Sequence, residues 1–157
     1  MRTSILLLAA LLLLTRPADA DEVRPSSGQT IYVPAYSHIW HGNLDSRGKP
    51  QMLLLSSMLS IRNTDPDDGL TVTSVRYYDT AGKMLREHLS QPARLGPMAS
   101  TDLFVEHKDD AGGTGANFVV EWKAARPISP PIIETVNAYF FGPHSLAFTS
   151  PGRVIAK

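Results

Sequence analysis

The sequence predicts an all-β domain: a two-sheet antiparallel β-sandwich of immunoglobulin-like or related Greek-key topology, with a small closed barrel as the alternative. Three observations carry that expectation. Eight short runs rich in β-branched and aromatic residues follow one another, separated by Gly, Pro, Asn and Asp turn chemistry. Several of these runs alternate apolar and polar residues with a period of two. No stretch combines the caps and the apolar period of a convincing helix.

The first strand is expected over Gln29–Trp40, with Pro34 marking an edge or a bulge. Gly42–Pro50 is a loop. The second strand is expected over Met52–Arg62, where Leu53, Leu55, Ser57, Leu59 and Ile61 share one face. Leu55 and Leu59 also stack at helical spacing, but Ser56, Ser57 and Ser60 are poor helix interior and no cap precedes them. Asp65-Pro66-Asp67-Asp68-Gly69 is a turn, because Pro presets φ and Gly permits a positive φ. Leu70–Asp79 and Lys83–Leu89 form a hairpin about Thr80-Ala81-Gly82. Gln91–Met98, with Pro92, Gly96 and Pro97, is a connection. The fifth strand is expected over Thr101–Lys108, with Leu103, Val105 and His107 on one face, and Asp109–Gly115 is a Gly-rich turn. In Ala116–Lys123, Phe118, Val120 and Trp122 point one way and Val119, Glu121 and Lys123 the other. Pro127–Pro131 breaks the pattern; Ile132–Phe141 and Ser145–Thr149 are the last two strands, and Arg153–Ala156 adds a short terminal piece.

Composition bounds the function classes. The chain has 157 residues, 15 basic and 15 acidic side chains, five His and no Cys. That length suits one domain. A formal charge of zero gives no electrostatic reason for a nucleic-acid or anionic-membrane partner. Without Cys there is no disulfide framework, thiolate metal site, iron–sulfur cluster or Cys nucleophile.

The start of the chain reads as an address. Arg2 precedes the apolar run Ile5–Leu14, and Ala18-Asp19-Ala20 offers the small residues a signal peptidase cuts after. A run that short spans about 15 Å as a helix, half of a bilayer core. Residues 1–20 are therefore expected to be a cleaved signal peptide, 21–29 a disordered leader and 30–157 the single folded domain. The mature protein is expected to be periplasmic or secreted, with no stable membrane anchor.

Four segments occur together in a recognisable order: Val33-Pro34-Ala35-Tyr36-Ser37-His38-Ile39, Leu59-Ser60-Ile61-Arg62-Asn63-Thr64-Asp65, Tyr77-Tyr78-Asp79-Thr80-Ala81-Gly82-Lys83, and Gly112-Gly113-Thr114-Gly115-Ala116-Asn117-Phe118-Val119-Val120-Glu121-Trp122. The set resembles an uncharacterised family of exported bacterial proteins, domain of unknown function 3124. The resemblance covers about Val33 to Ser150 and implies export from a bacterium. It implies no activity, cofactor or catalytic residue.

Candidate chemistry is sparse. His38 and His41 stand in His-Ile-Trp-His, three apart, so an extended strand points them to opposite faces. Convergence on a metal needs a bend before Gly42 and a third ligand from His88, His107, His144 or a carboxylate. No zincin Glu follows them. Asn63, Asp65, Asp67 and Asp68 resemble a calcium loop, but Asp68 stands at the frame position that demands Gly and Ser74 where Glu is needed. A calcium site of another kind would join this loop to Asp109-Asp110. Gly112-Gly113-Thr114-Gly115 lacks the Lys and the following helix of a phosphate-binding loop. Such glycines permit a tight turn or form an exposed binding loop. No Gly-X-Ser-X-Gly elbow occurs. Glu121 and Glu134 lie in apolar strands, as an acid–base pair or on solvent faces. Tyr32, Tyr36 and Trp40 share parity, so one continuous strand would align them as a core row or a stacking surface.

The expected function is that of a non-catalytic binding or interaction module without cofactor. Its expected partner is another envelope protein or a saccharide. The expected binding residues are Tyr36, His38, Trp40, His41, Gly112, Gly113, Gly115 and Asn117. The alternative is a metal-binding protein or metal-dependent hydrolase built on His38 and His41.

Overall fold

The computed structural model describes residues 24–156. It is all-β, and no described residue is helical. The strands are β1 (Ser26–Pro34), β2 (His38–His41), β3 (Gln51–Leu54), β4 (Ser56–Arg62), β5 (Leu70–Tyr78), β6 (Met84–Glu87), β7 (Ala93–Leu95), β8 (Ser100–Val105), β9 (Asn117–Ile128), β10 (Ile132–Phe141), β11 (His144–Pro151) and β12 (Arg153–Ala156). One sheet runs β12-β1-β9-β5-β6, with β7 also paired to β5; the second runs β11-β10-β4-β8. β2 and β3 form a separate hairpin. Every pairing is antiparallel.

The two large sheets face each other across one core. Ile31 and Val33 of β1, Val72, Val75 and Tyr77 of β5, and Phe118, Val120 and Trp122 of β9 supply one side; Leu59, Ile61, Val105 and Ile133 supply the other. Trp122 is 3% exposed, and Val119, Glu121 and Lys123 point outward as alternation predicts. In β5 the spacing changes midway: Val72 and Val75, three apart, are both buried. A bulge between Val72 and Ser74 inserts one residue and resets the inward face.

Local boundaries differ from expectation in several places. The first expected strand stops at Pro34, and the second begins again after Leu55. At both points the chain leaves the sandwich to make the β2–β3 hairpin, closed at its root by the Leu55 N–H donating to the Ser37 carbonyl at 2.8 Å. Tyr32 and Trp40 therefore do not share one strand. The disordered leader expected over 21–29 is shorter, since Ser26–Gln29 already pair with β9; residues 21–23 and the expected signal peptide 1–20 lie outside the described residues. The fifth expected strand ends at Val105, which leaves His107 in a turn. β9 runs on to Ile128 and β11 starts at His144. Gly152 carries the chain from β11 to β12, where a Cβ would lie 2.7 Å from the Ile133 carbonyl oxygen and from Ile31 Cγ2. Only glycine passes there.

Candidate functional site

Both segments expected to form the site lie at one end of the sandwich. The Ala35 N–H donates to the Ala116 carbonyl at 2.8 Å, and the Ser37 N–H to the Gly113 carbonyl at 3.0 Å. The glycine loop is thereby stitched to the segment leading into β2. Thr80 clamps it from the other side: its N–H and its hydroxyl both donate to the Gly112 carbonyl, at 2.9 and 3.0 Å, and its Oγ1 accepts from the Gly115 N–H at 2.9 Å.

These glycines serve packing. Gly112 is buried, and a Cβ there would overlap the Tyr77 hydroxyl and lie 2.7 Å from Ser37 Oγ and Ala116 Cβ. Ser37 Oγ and Tyr77 Oη are hydrogen-bonded at 3.0 Å directly beneath. Gly113 adopts a φ of 75°, which glycine takes without steric cost. Asn117 is buried as the first residue of β9. Of the expected set, Gly112 and Asn117 are therefore inaccessible and Gly113 is half-buried. The loop plugs the end of the core, and Gly115 alone of the four is exposed.

A buried polar network anchors this end. Asn137, fully buried in β10, accepts the Tyr36 N–H at 3.2 Å and the Ser57 hydroxyl at 2.7 Å through Oδ1. Its Nδ2 donates to Thr135 Oγ1 at 3.2 Å and Ser150 Oγ at 3.3 Å. Thr135 in turn donates to the Pro34 carbonyl at 2.5 Å. The single Ser57 proton also has the Tyr36 carbonyl within 3.1 Å. The turn out of β1 is thus held to the opposite sheet by hydrogen bonds to residues Pro34 and Tyr36. Sequence reasoning missed this network. The available signal was a polar Asn at the inward parity of β10, in line with Ile133 and Thr135.

Beyond the network, two hairpins overrun the sandwich. On β10–β11 the inward face continues as Tyr139 opposite Leu146 and Phe141 opposite His144. Among the described residues no strand of the opposite sheet covers the tip: Phe141 is 72% exposed, and Phe140 on the other face 75%. Tyr139 lies 6.0 Å from the His107 ring and 6.5 Å from that of Phe141. Phe148, further down β11, meets Tyr36 edge-on at 5.5 Å. On β2–β3, Trp40 is 53% exposed opposite Met52, and His38 packs edge-on against Trp40 at 4.9 Å. Tyr36 is half-buried, and His41 is exposed. Leu44 and Met52 add further exposed apolar surface to this hairpin.

The ionisable groups do not assemble. His38 and His41 occupy alternate faces of β2, and among the described residues no three His, Asp or Glu side chains are placed to hold a metal ion. His38 Nδ1 is shielded, with no hydrogen-bond partner among the described residues. Glu121 pairs with Arg76 on the outer face of one sheet, and Glu134 lies 3.9 Å from Arg62 on the outer face of the other. They form no pair. Asp65 accepts the Ser129, Asp67 and Asp68 amides, which together with the Arg126 charge hold its carboxyl below the usual carboxylate range. That loop sits near the Ile128 end of β9, whereas Asp109 pairs with Arg86 near the Asn117 end. The calcium arrangement that required both loops is not formed. Burial raises the Tyr77 phenol, opposed by the Ser37 hydrogen bond. Burial, then the Arg86 charge, lowers His88, whose ring leans on Phe118 at 5.6 Å.

No helix among the described residues is long and apolar enough to cross a membrane. No curated protein matches the sequence. A solved structure titled "Crystal Structure of Thermotoga maritima 1070" is similar at a TM-score of 0.43 and 14% identity, over 80% of this chain and 92% of that one. The family described as "Protein of unknown function (DUF3124)" matches residues 28–155, and the chain belongs to that family.

Proposed function

We propose that this protein is an exported, non-catalytic binding module that recognises a protein partner with the aromatic end of its sandwich. The observation that carries the proposal is the exposure of Trp40, Phe140 and Phe141 on two hairpins whose roots are pinned by buried hydrogen bonds. Exposed aromatics on rigid supports are the usual anchors of protein interfaces, because they bury much area at little entropic cost. Met52, which faces Trp40, and Leu146, which faces Tyr139, are exposed on the same hairpins. Apolar neighbours of that kind suit a protein surface better than a sugar, whose hydroxyls call for flanking carboxylates and amides. The N-terminal pattern around Arg2, Ile5–Leu14 and Ala18–Ala20 supports export, and a mature mass beginning at Asp21 in the periplasmic fraction checks that part.

The interaction is tested with a photo-crosslinking amino acid placed at Trp40, at Phe141 or at Lys83, a control position. The expected result is one protein adduct common to the first two positions and absent from the third. Binding of that purified partner should weaken about tenfold or more in Trp40→Ala. Adducts indistinguishable from the Lys83 control would refute the proposal. So would a saccharide on a glycan array that competes at Trp40 while no protein adduct forms.

A further inference from the structure

The opposite end of the sandwich carries a concavity of about 410 Å³ on the outer face of the six-stranded sheet. Its position follows from register. Leu70 and Leu95 pair inward, so the next pair, Thr71 and Arg94, points outward. Thr71 pairs on its other side with Lys123. Three adjacent strands therefore present Arg94, Thr71 and Lys123 in one row. The hollow exists because small residues surround the row. Gly69 and Ala125 line it, and Gly28 stands opposite Lys123 across β1–β9.

Its electrostatics are one-sided. Neither Arg94 nor Lys123 has a carboxylate partner among the described residues, and no Asp or Glu lines the hollow. The nearby Asp68 carboxylate is engaged by Arg126, at 2.7 Å from Nε and 2.6 Å from the terminal nitrogen. Adjacent strands lie about 4.8 Å apart, so the two cationic stems stand about 10 Å apart with the Thr71 hydroxyl between them. A guanidinium offers a planar fork, an ammonium a point charge and a hydroxyl a single donor. Together they match a group with several anionic oxygens.

We propose that this hollow is an oxyanion site for a phosphate or sulfate group, held by Arg94, Lys123 and Thr71. It lies at the far end from the aromatic hairpins and is independent of them.

The test is a titration of the ¹⁵N-labelled protein with inorganic phosphate and with sulfate at constant ionic strength, chloride being the control. Saturable shifts centred on the Thr71, Arg94 and Lys123 amides are expected. Arg94→Gln and Lys123→Gln should each raise Kd about tenfold, while Lys83→Gln leaves it unchanged. Vesicles of phosphatidylglycerol and of phosphatidylcholine form the second arm. Association with the former alone, lost in Arg94→Gln, assigns the group to a lipid headgroup; phosphate binding without vesicle association assigns it to a soluble ligand. Equal shifts with chloride, shifts that never saturate, or Kd values unmoved by both substitutions would overturn the site.

Discussion

Asn137→Leu is expected to loosen the aromatic end before the rest of the molecule. The side chain is wholly buried and makes four hydrogen bonds. Leucine keeps the branch at Cγ but is larger and apolar, so the cost has two parts: a group that loses its partner, and overpacking. The Ser57 hydroxyl turns to the Tyr36 carbonyl at 3.1 Å, and Thr135 keeps Pro34. The Tyr36 N–H is left with no acceptor, at about 1–3 kcal/mol. Forcing the larger side chain into this closed site adds about 1–3 kcal/mol. The sum, about 2–6 kcal/mol, corresponds to a Tm lower by about 6–20 °C for a domain of this size. Urea unfolding should show a lower midpoint with an unchanged m-value, and the Tyr36 amide should exchange faster with solvent. Ser150→Ala removes only the 3.3 Å contact to Asn137 Nδ2 and should cost less than about 1 kcal/mol. A Tm within about 2 °C of the parent for Asn137→Leu, or equal losses for both variants, would refute the assignment of Asn137 as the anchor.

Three further outcomes follow from the same geometry. Gly112→Ala should destabilise by about 1–3 kcal/mol through overpacking against Tyr77 and Ser37, and adding Tyr77→Phe should recover part of that in a double-mutant cycle. His88 has a folded pKa lowered by burial and by Arg86, with Glu87 and Asp109 opposing. Its contribution is full above the ordinary value of 6.5 and is lost as pH falls through the lowered one. Urea midpoints should therefore drop on acidification, and His88→Gln should flatten that drop; an unchanged slope would show that His88 is not responsible. Trp122→Ala should cost about 3–5 kcal/mol, whereas Trp40→Ala should stay within about 0.5 kcal/mol, as chemical denaturation will show.

Much of the fold was legible because period-two alternation reports burial directly. Phe118, Val120 and Trp122 read as the inner face of one strand and are that face. The hairpin around Thr80–Gly82 follows from local backbone chemistry, with Gly82 at a φ of 79°. The chain also bends over Asp65–Gly69, where Asp65 accepts the Asp67 and Asp68 amides. Gly69 does not use the expected positive φ there and serves instead because a Cβ would lie 2.8 Å from the Leu95 carbonyl oxygen. The breaks at Ala35–Ser37 and Leu55 were not legible. Nothing in the local pattern ends the strands there; the chain turns because the Asn137 network and the Gly113 carbonyl, both distant in sequence, capture Pro34, Tyr36 and Ser37. The bulge that buries both Val72 and Val75 is likewise imposed by pairing with β9.

The candidate site divides the same way. Tyr36, Trp40 and the glycine loop stood out by residue type, and pairing across the chain brought their segments to one end. Burial then separated them: Trp40 is left exposed, while Gly112 and Asn117 are closed into the core. Phe140, Phe141, Arg94 and Lys123 carried no signal in sequence, because an exposed hairpin tip and a row across three strands exist only after pairing. The amino-acid sequence alone determined an all-β chain without cysteine chemistry and the apolar face of several strands, since those depend on neighbours one or two residues away. The tertiary structure alone decided which faces meet, which polar groups are buried and which aromatics stay in water, since those depend on contacts up to 101 residues apart.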